Sequence, residues 1–213
     1  MEDIQSLVVP LLEGLEVTLR IMAGAALLSI PVAVLAGLGR LSPHVWVRGI
    51  ATAYVELFRG TSALVQLFWF YYVLPMFGLK LPAILVGIVV LAANSGAYGA
   101  EVVRGAIQAV AKGQREAALA LNMTPALAMR RVILPQAIPA MLPPAGNLLI
   151  ELLKNTALVS LITITDLTFR GQLLRSETLR TTEIFGLMLL LYFAVALVIT
   201  GGIRLLERRF RVR

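Results

Sequence analysis

Five stretches of this chain are long, apolar and nearly free of charge. Residues 21–39, 61–79 and 81–100 contain no Asp, Glu, Lys or Arg and are bounded by charges or turn residues. About 20 mostly apolar residues at 1.5 Å rise each cross a bilayer core of about 30 Å, so each stretch predicts a transmembrane helix. A fourth is expected over 143–162, where Pro143 and Pro144 suit a helix start and Pro135 and Pro139 should break the pattern before it. The fifth, 184–203, runs into Arg204, Arg208, Arg209, Arg211 and Arg213. Residues 4–20 read as an amphipathic lead-in, with Leu11, Leu12, Leu15 and Leu19 on one stripe and Glu16 four residues before Arg20. The expected class is an all-α integral membrane protein, one transmembrane domain over 1–213.

Composition agrees with that pattern. Of the 213 residues 59% are hydrophobic and only 15% charged, too few polar side chains to clothe a soluble globule. Lipid must cover much of the surface. The net charge of +7 then reports topology. Arg40, Arg48, Arg59, Arg104, Lys112, Arg115, Arg130, Arg131 and the five tail arginines fall on one side of the predicted spans. Arg20, Lys80, Arg170, Arg175 and Arg180 fall on the other. The positive-inside rule puts the richer side in the cytoplasm, hence the N-terminus outside and the C-terminus inside. Glu2 and Asp3 stand where a signal peptide would be cationic, so no cleavable leader is expected.

Several chemistries are excluded. With no cysteine there is no disulfide, thiolate nucleophile or Cys-ligated metal. No G-x-x-x-x-G-K-[ST] or H-E-x-x-H occurs, and the only histidine, His44, lies beside Pro43 in a connection, away from any serine of a span. An enzyme, an intramembrane protease included, is not expected, nor a metal site or a nucleic-acid binder. A channel or a structural membrane subunit remains open on hydropathy alone.

Charged and polar groups inside a span cost free energy unless they face the bundle interior or a wet cavity. Glu151 and Lys154 stand three apart on the fourth span and can pair, with Asn155 and Thr156 on the same turn, near the midplane. They suit either a zwitterionic solute or a structural ion pair. Asn94, Ser95 and Tyr98 form a polar stripe on the third span, and Glu101 and Arg104 a second i,i+3 pair. The stripe reads as pathway lining or as interhelical hydrogen-bond glue, with Gly96 and Gly99 as close-packing positions. Trp69, Tyr71 and Tyr72 before Pro75 read as an interfacial belt rather than a cation cage.

The longest polar connection contains GQREAALALNMTPALAMRRVILPQA, residues 113–137. It predicts two short helices and a tight bend. Gly113 opens the first helix, with Glu116 in its first turn. Asn122 is suited to a left-handed helix end. Thr124 and Pro125 are an N-cap and first-turn proline, and the second helix should stop before Pro135. Ala117, Ala118 and Ala120 make one side small, fit for a partner's groove or for lying among headgroups.

This segment resembles the EAA loop of ABC-importer permeases: Glu116, Ala117 and Ala118 are followed at the family's distances by Asn122, Val132, Leu134 and Pro135. Asn122 replaces glycine and Val132 isoleucine. ELFRGTSALVQLFWFYYVLP from Glu56, NSGAYGAEVVRGAIQAVAKGQ from Asn94 and ELLKNTALVSLI from Glu151 are similar to the branch importing polar amino acids. Ser62 stands where many relatives have proline. The wording of NMTPALAMRRVILPQA and MLPPAGNLLIELLKNTALVSLITITDLTF most resembles ectoine and hydroxyectoine permeases. The resemblance implies a type I ABC importer permease fold in the bacterial cytoplasmic (inner) membrane. Its implied partners are ATP-binding ABC ATPase subunits, a second permease subunit (the same or a sister chain) and an extracytoplasmic solute-binding protein. The chain itself would bind no cofactor, ATP and Mg being held by the ATPases. The coupling segment would be 113–135, with Gly113, Glu116, Ala117, Ala118, Asn122, Met123, Leu134 and Pro135 as its residues and Arg130 and Arg131 steadying the elbow. Asn94, Ser95, Tyr98, Glu151, Lys154, Asn155 and Thr156 would line the solute pathway.

Overall fold

The structure, a computed structural model, describes residues 2–210, with side chains from Ser6 onward. Arg211 and Arg213 of the basic tail, and the side chains of Glu2 and Asp3, lie outside the described residues. Every regular element among the described residues is helical.

Helix α1 (Glu2–Arg40) is a single helix of 39 residues, so the lead-in and the first predicted span are continuous. Glu16 and Arg20 form the expected ion pair. Next comes α2 (Val45–Gly60), in what the hydropathy pattern leaves as a connection. Its buried stripe is only Ala51 and Val55, while Trp46 is 85% exposed. So few inward residues in 16 leave little hydropathy signal.

Where one span is predicted over 61–79, α3 (Ala63–Phe68) passes into a π-helical turn over Trp69–Val73 and a 3₁₀ turn over Leu74–Phe77. The combined helix covers 15 residues. The Leu74 N–H donates to the Trp69 carbonyl, five residues back, immediately before Pro75, which has no N–H to give. The same device recurs before Pro135. There the Leu134 N–H reaches the Met129 carbonyl at the end of a π-turn over Met129–Ile133. A widened turn relieves the clash between a proline ring and the carbonyl four residues back.

After α4 (Ala83–Ala109), the polar connection forms α5 (Lys112–Ala120) and α6 (Pro125–Ala128). Through that second π-turn α6 runs straight into α7 (Leu134–Thr156), extended by a 3₁₀ turn over Ala157–Ile162. The expected stop before Pro135 and break at Pro139 do not occur. The prolines at 135, 139 and 143 recur every fourth residue and are not buried, so they share one outward face of a helix that neighbouring helices support. Helix α8 (Leu167–Thr178) and α9 (Thr181–Phe210) complete the chain. Four helical stretches are long and apolar enough to cross a membrane: Ser6–Arg40, Ala83–Ala109, Pro125–Ile162 and Thr181–Phe210.

Helices α1 and α4 run side by side in the same direction, and small residues let them approach closely. A Cβ on Gly96 would lie 2.7 Å from Val32 Cγ1, one on Gly99 2.7 Å from Ala33 Cβ, and one on Gly37 2.8 Å from the Ala100 carbonyl oxygen. Gly96 and Gly99 are therefore packing positions, as expected. Helix α7 runs antiparallel beside α4. Ile21, Leu67, Val90, Leu91, Leu152 and Ile162 join these helices in the main core. One end is closed by Leu11, Leu167 and Ile184, the other by Val103, Ile107, Ile133 and Ala137. Thus α4 and α7 present facing polar stripes mid-helix, and the α5–α6 bend projects from the far end of α4.

Candidate functional site

Two sets of residues stand out: the α5–α6 bend and a polar cleft between α4 and α7. In the bend, Asn122 adopts φ 54, the left-handed conformation expected of it. The Asn122 N–H donates to the Leu119 carbonyl at 2.9 Å and the Met123 N–H to the Ala118 carbonyl at 3.0 Å, the two bonds of a Schellman termination. Thr124 Oγ1 then accepts from the Leu127 N–H at 3.3 Å, with Pro125 at the first helical position. Glu116, however, lies past the first turn, because α5 begins at Lys112 rather than Gly113. Ala118 faces inward and is buried, whereas Ala117 and Ala120 point out, flanked by Leu119, 62% exposed, and Leu121, 73% exposed.

The elbow is braced by residues other than those implied by resemblance. Arg115 Nη2 donates to the Ile107 carbonyl at 3.0 Å, tying α5 to the last turns of α4. Gln136 Nε2 donates to Gln114 Oε1 at 3.2 Å and to the Val132 carbonyl at 2.8 Å. Arg130 and Arg131 are exposed and form no ion pair within 4.0 Å among the described residues.

Five of the seven pathway candidates meet. Asn94, Ser95 and Tyr98 of α4 and Glu151 and Asn155 of α7 line one narrow cleft of about 10 Å³, about one water-sized sphere. Asn94 is also the expected interhelical tie: its Nδ2 donates to the Phe58 carbonyl at 3.0 Å and to Gln66 Oε1 at 3.1 Å. Gln66 in turn bonds the Phe58 and Thr61 carbonyls at 3.0 and 3.3 Å. Lys154 and Thr156 lie elsewhere. Thr156 is buried and donates to the Leu153 carbonyl at 2.6 Å. Lys154 lines a different cleft of about 380 Å³, largely apolar, against Tyr192, Phe193 and Ala196 of α9. Glu151 and Lys154 accordingly make no ion pair. Glu151 lines the α4 side of α7 with Leu148 and Asn155, whereas Lys154 lines the α9 side with Ile150 and Ala157.

Below the cleft, Glu101 joins three helices. Its carboxylate accepts from Arg104 Nη2 at 2.7 Å, the expected i,i+3 pair, and also from Arg40 at the end of α1. Arg59 at the end of α2 comes within 4.0 Å. Arg40 also meets Glu56 at 3.5 Å, and the Arg59 guanidinium stands 5.2 Å from the Tyr98 ring centroid. Spacing on one helix reveals only Glu101 and Arg104. Arg40, Glu56 and Arg59 belong to α1 and α2, and no local pattern says that these helix ends converge on α4.

Among the aromatics, Tyr71 Oη shares a hydrogen bond of 2.9 Å with Thr163 Oγ1, and Tyr72 Oη donates to the Leu161 carbonyl at 3.3 Å. They lash the 63–77 helix to the turn after α7. The described residues contain no cluster of metal ligands.

A bundle of apolar helices with a polar interior seam and a projecting helix–turn–helix is the build of a membrane transport subunit. Residues 29–212 match the family described as "binding-protein-dependent transport system inner membrane component", and the chain belongs to that family. It is therefore a permease component of the inner membrane, not itself an enzyme. As a component of a binding-protein-dependent transport system, it works with a solute-binding protein. It is 50% identical over 177 residues to a probable amino-acid ABC transporter permease protein of Sinorhizobium fredii, covering 80% of this chain and 74% of that one. It is 36% identical over 204 residues to the glutamine transport system permease protein of Escherichia coli, covering 95% and 93%. A crystal structure of an amino acid ABC transporter with histidines superposes with TM-score 0.90 at 39% identity, covering 97% of each chain. An inward-facing methionine ABC transporter structure, at 21% identity and TM-score 0.80 over 95% and 97% of the chains, shares the fold.

Proposed function

We propose that this chain is the solute-conducting permease of an ABC importer for a small zwitterion, a polar amino acid or ectoine and hydroxyectoine, and that residues 113–135 transmit ATP-driven motion to it. The observation that carries this reading is the α5–α6 bend. Its Schellman termination, Thr124 cap and exposed Leu119 and Leu121 form a preorganised knob on the end of the helix that carries the polar stripe. Such a knob suits a groove on an ATPase subunit better than lipid headgroups. A channel has no use for it.

ATP and Mg act on the partner ATPases; this chain supplies the docking knob and the pathway wall. Relatives named for amino-acid and glutamine transport support the amino-acid alternative, and likeness of wording supports ectoine. In both cases Ser95, Glu151 and Asn155 carry the argument. Their side chains face the cleft with no hydrogen-bond partner among the described residues, leaving polar atoms for a solute. Pairing of two permease subunits would close the pathway around these residues. A topology with 63–77 as the remaining crossing keeps the arginines of 40–59 and 104–131 on the cytoplasmic side.

Reconstitution of the permease with its ATPase and binding protein tests the substrate. ATPase stimulation is compared for ectoine, L-glutamine and L-arginine. A response to ectoine alone favours the compatible-solute reading; a response to an amino acid alone removes it.

A further inference from the structure

The cleft holds a carboxylate, Glu151, but no cation, because Lys154 faces α9. A zwitterion needs both. We propose that Arg59 is the residue that receives the solute's carboxylate, exposed to the cleft when the Tyr98 ring swings off its guanidinium. This rests on the cleft reading above and adds to it a second recognition residue.

Arg59 is the least committed cation of its cluster. Glu101 already serves Arg40 on one oxygen and Arg104 on both, through contacts of 2.7, 3.2 and 3.2 Å from the latter. Arg59 reaches that carboxylate only at 4.0 Å, beyond hydrogen-bond length. Its guanidinium has no hydrogen bond among the described residues, and its side chain is 38% exposed, against 17% for Arg40. Three guanidiniums face two carboxylates here, Glu101 and Glu56, so one positive charge is in excess. Five N–H donors in a planar fork match a carboxylate bidentately.

Tyr98 is the partition. Tyr98 lines the cleft, and the Arg59 guanidinium stands 5.2 Å from its ring centroid. A cleft of about 10 Å³ admits a solute only when a wall moves. Rotation of Tyr98 gives up a cation–π contact, which a carboxylate on the same guanidinium replaces. Glu151 then meets the solute's ammonium or amidinium from α7 while Arg59 meets its carboxylate from α2.

The test is calorimetric binding to the assembled, detergent-solubilised permease–ATPase complex, with four probes: L-glutamine, ectoine and the carboxamide of each. The unsubstituted complex should bind one free acid about tenfold or more tighter than its carboxamide, the range expected for a charge-assisted contact. In Arg59→Gln that preference should shrink to about twofold or less, through loss of affinity for the acid alone. An undiminished preference in Arg59→Gln overturns the proposal. Should Arg59→Gln fail to assemble, Arg59→Lys keeps the charge without the fork; an intermediate preference is expected, and a parental one overturns the assignment. Failure of the unsubstituted complex to bind either acid contradicts the cleft reading and the assignment together. Loss of binding in Glu151→Gln beside parental behaviour in Arg59→Gln removes Arg59 alone.

Discussion

Arg115 Nη2 donates to the backbone carbonyl of Ile107 at 3.0 Å, across the corner where α4 ends and α5 begins. The helix lining the cleft and the helix of the projecting bend are thereby joined by a charged donor on a carbonyl with no partner further along its own helix. On the proposed coupling role, this bond would carry force on α5 into the last turns of α4.

Arg115→Ala should leave the protein inserted and assembled while lowering transport per ATP hydrolysed severalfold. The bond is a single part-buried hydrogen bond, so the stability loss should be modest, about 1 kcal/mol. The ratio of solute uptake to phosphate release in proteoliposomes checks this. An unchanged ratio would show that the bond is incidental.

Glu101→Gln should destabilise the protein more than Arg104→Gln. Removing the carboxylate strands Arg40, 17% exposed, and loosens α1, α2 and α4 together, a loss of about 2 kcal/mol for a partly buried ion cluster. Removing Arg104 leaves Glu101 with Arg40 and Arg59. Thermal melting of the solubilised protein should rank parent, Arg104→Gln and Glu101→Gln in falling order.

Gly37→Ala and Gly105→Ala should shift stability in opposite directions. A Cβ at Gly37 meets the Ala100 carbonyl oxygen at 2.8 Å, a backbone atom that cannot step aside, whereas one at Gly105 meets nothing within 4 Å. The first should cost about 1–3 kcal/mol through overpacking of α1 on α4. The second should gain about 0.5–1 kcal/mol, as alanine replaces glycine within a helix. Melting temperatures of the two variants decide it.

Asp166 caps α8 through the Phe169 and Thr168 N–H groups at 3.0 and 3.2 Å and is fully buried. Burial pushes its carboxyl up to about 6, and those hydrogen bonds only partly offset the shift. The folded state therefore holds the proton more tightly than the unfolded state, whose carboxyl keeps its ordinary value of about 4. The sign follows: stability falls as pH rises from about 4 to about 6 and is level above, by about 3 kcal/mol in all. Asp166→Asn retains a capping oxygen and should flatten the dependence. Melting at pH 5 and pH 7 should separate the parent and leave the variant unmoved.

The sequence yields most where physics is local. Apolar runs longer than a soluble helix needs mark α1, α4 and α9, and Asn122 and Thr124 are legible because a left-handed helix end and an N-cap each demand a residue type. Elements that depend on neighbours are less legible. Pro135 reads as a stop, yet a π-turn over Met129–Ile133 carries the helix through it. Glu151 and Lys154 read as one polar turn, yet the first lines a cleft with α4 and the second a cleft with α9. Arg59 reads as a topology marker, and only the meeting of α2 with α4 sets it over Tyr98.

The coupling role of α5 is central to the proposed function. The decisive measurement is solute uptake alongside ATP hydrolysis in the reconstituted importer bearing Glu116→Arg. Insertion and assembly should persist, hydrolysis should no longer answer to solute, and uptake should fall at least about tenfold, as expected when a charge is reversed at a docking contact. Parental uptake with parental stimulation would contradict the account.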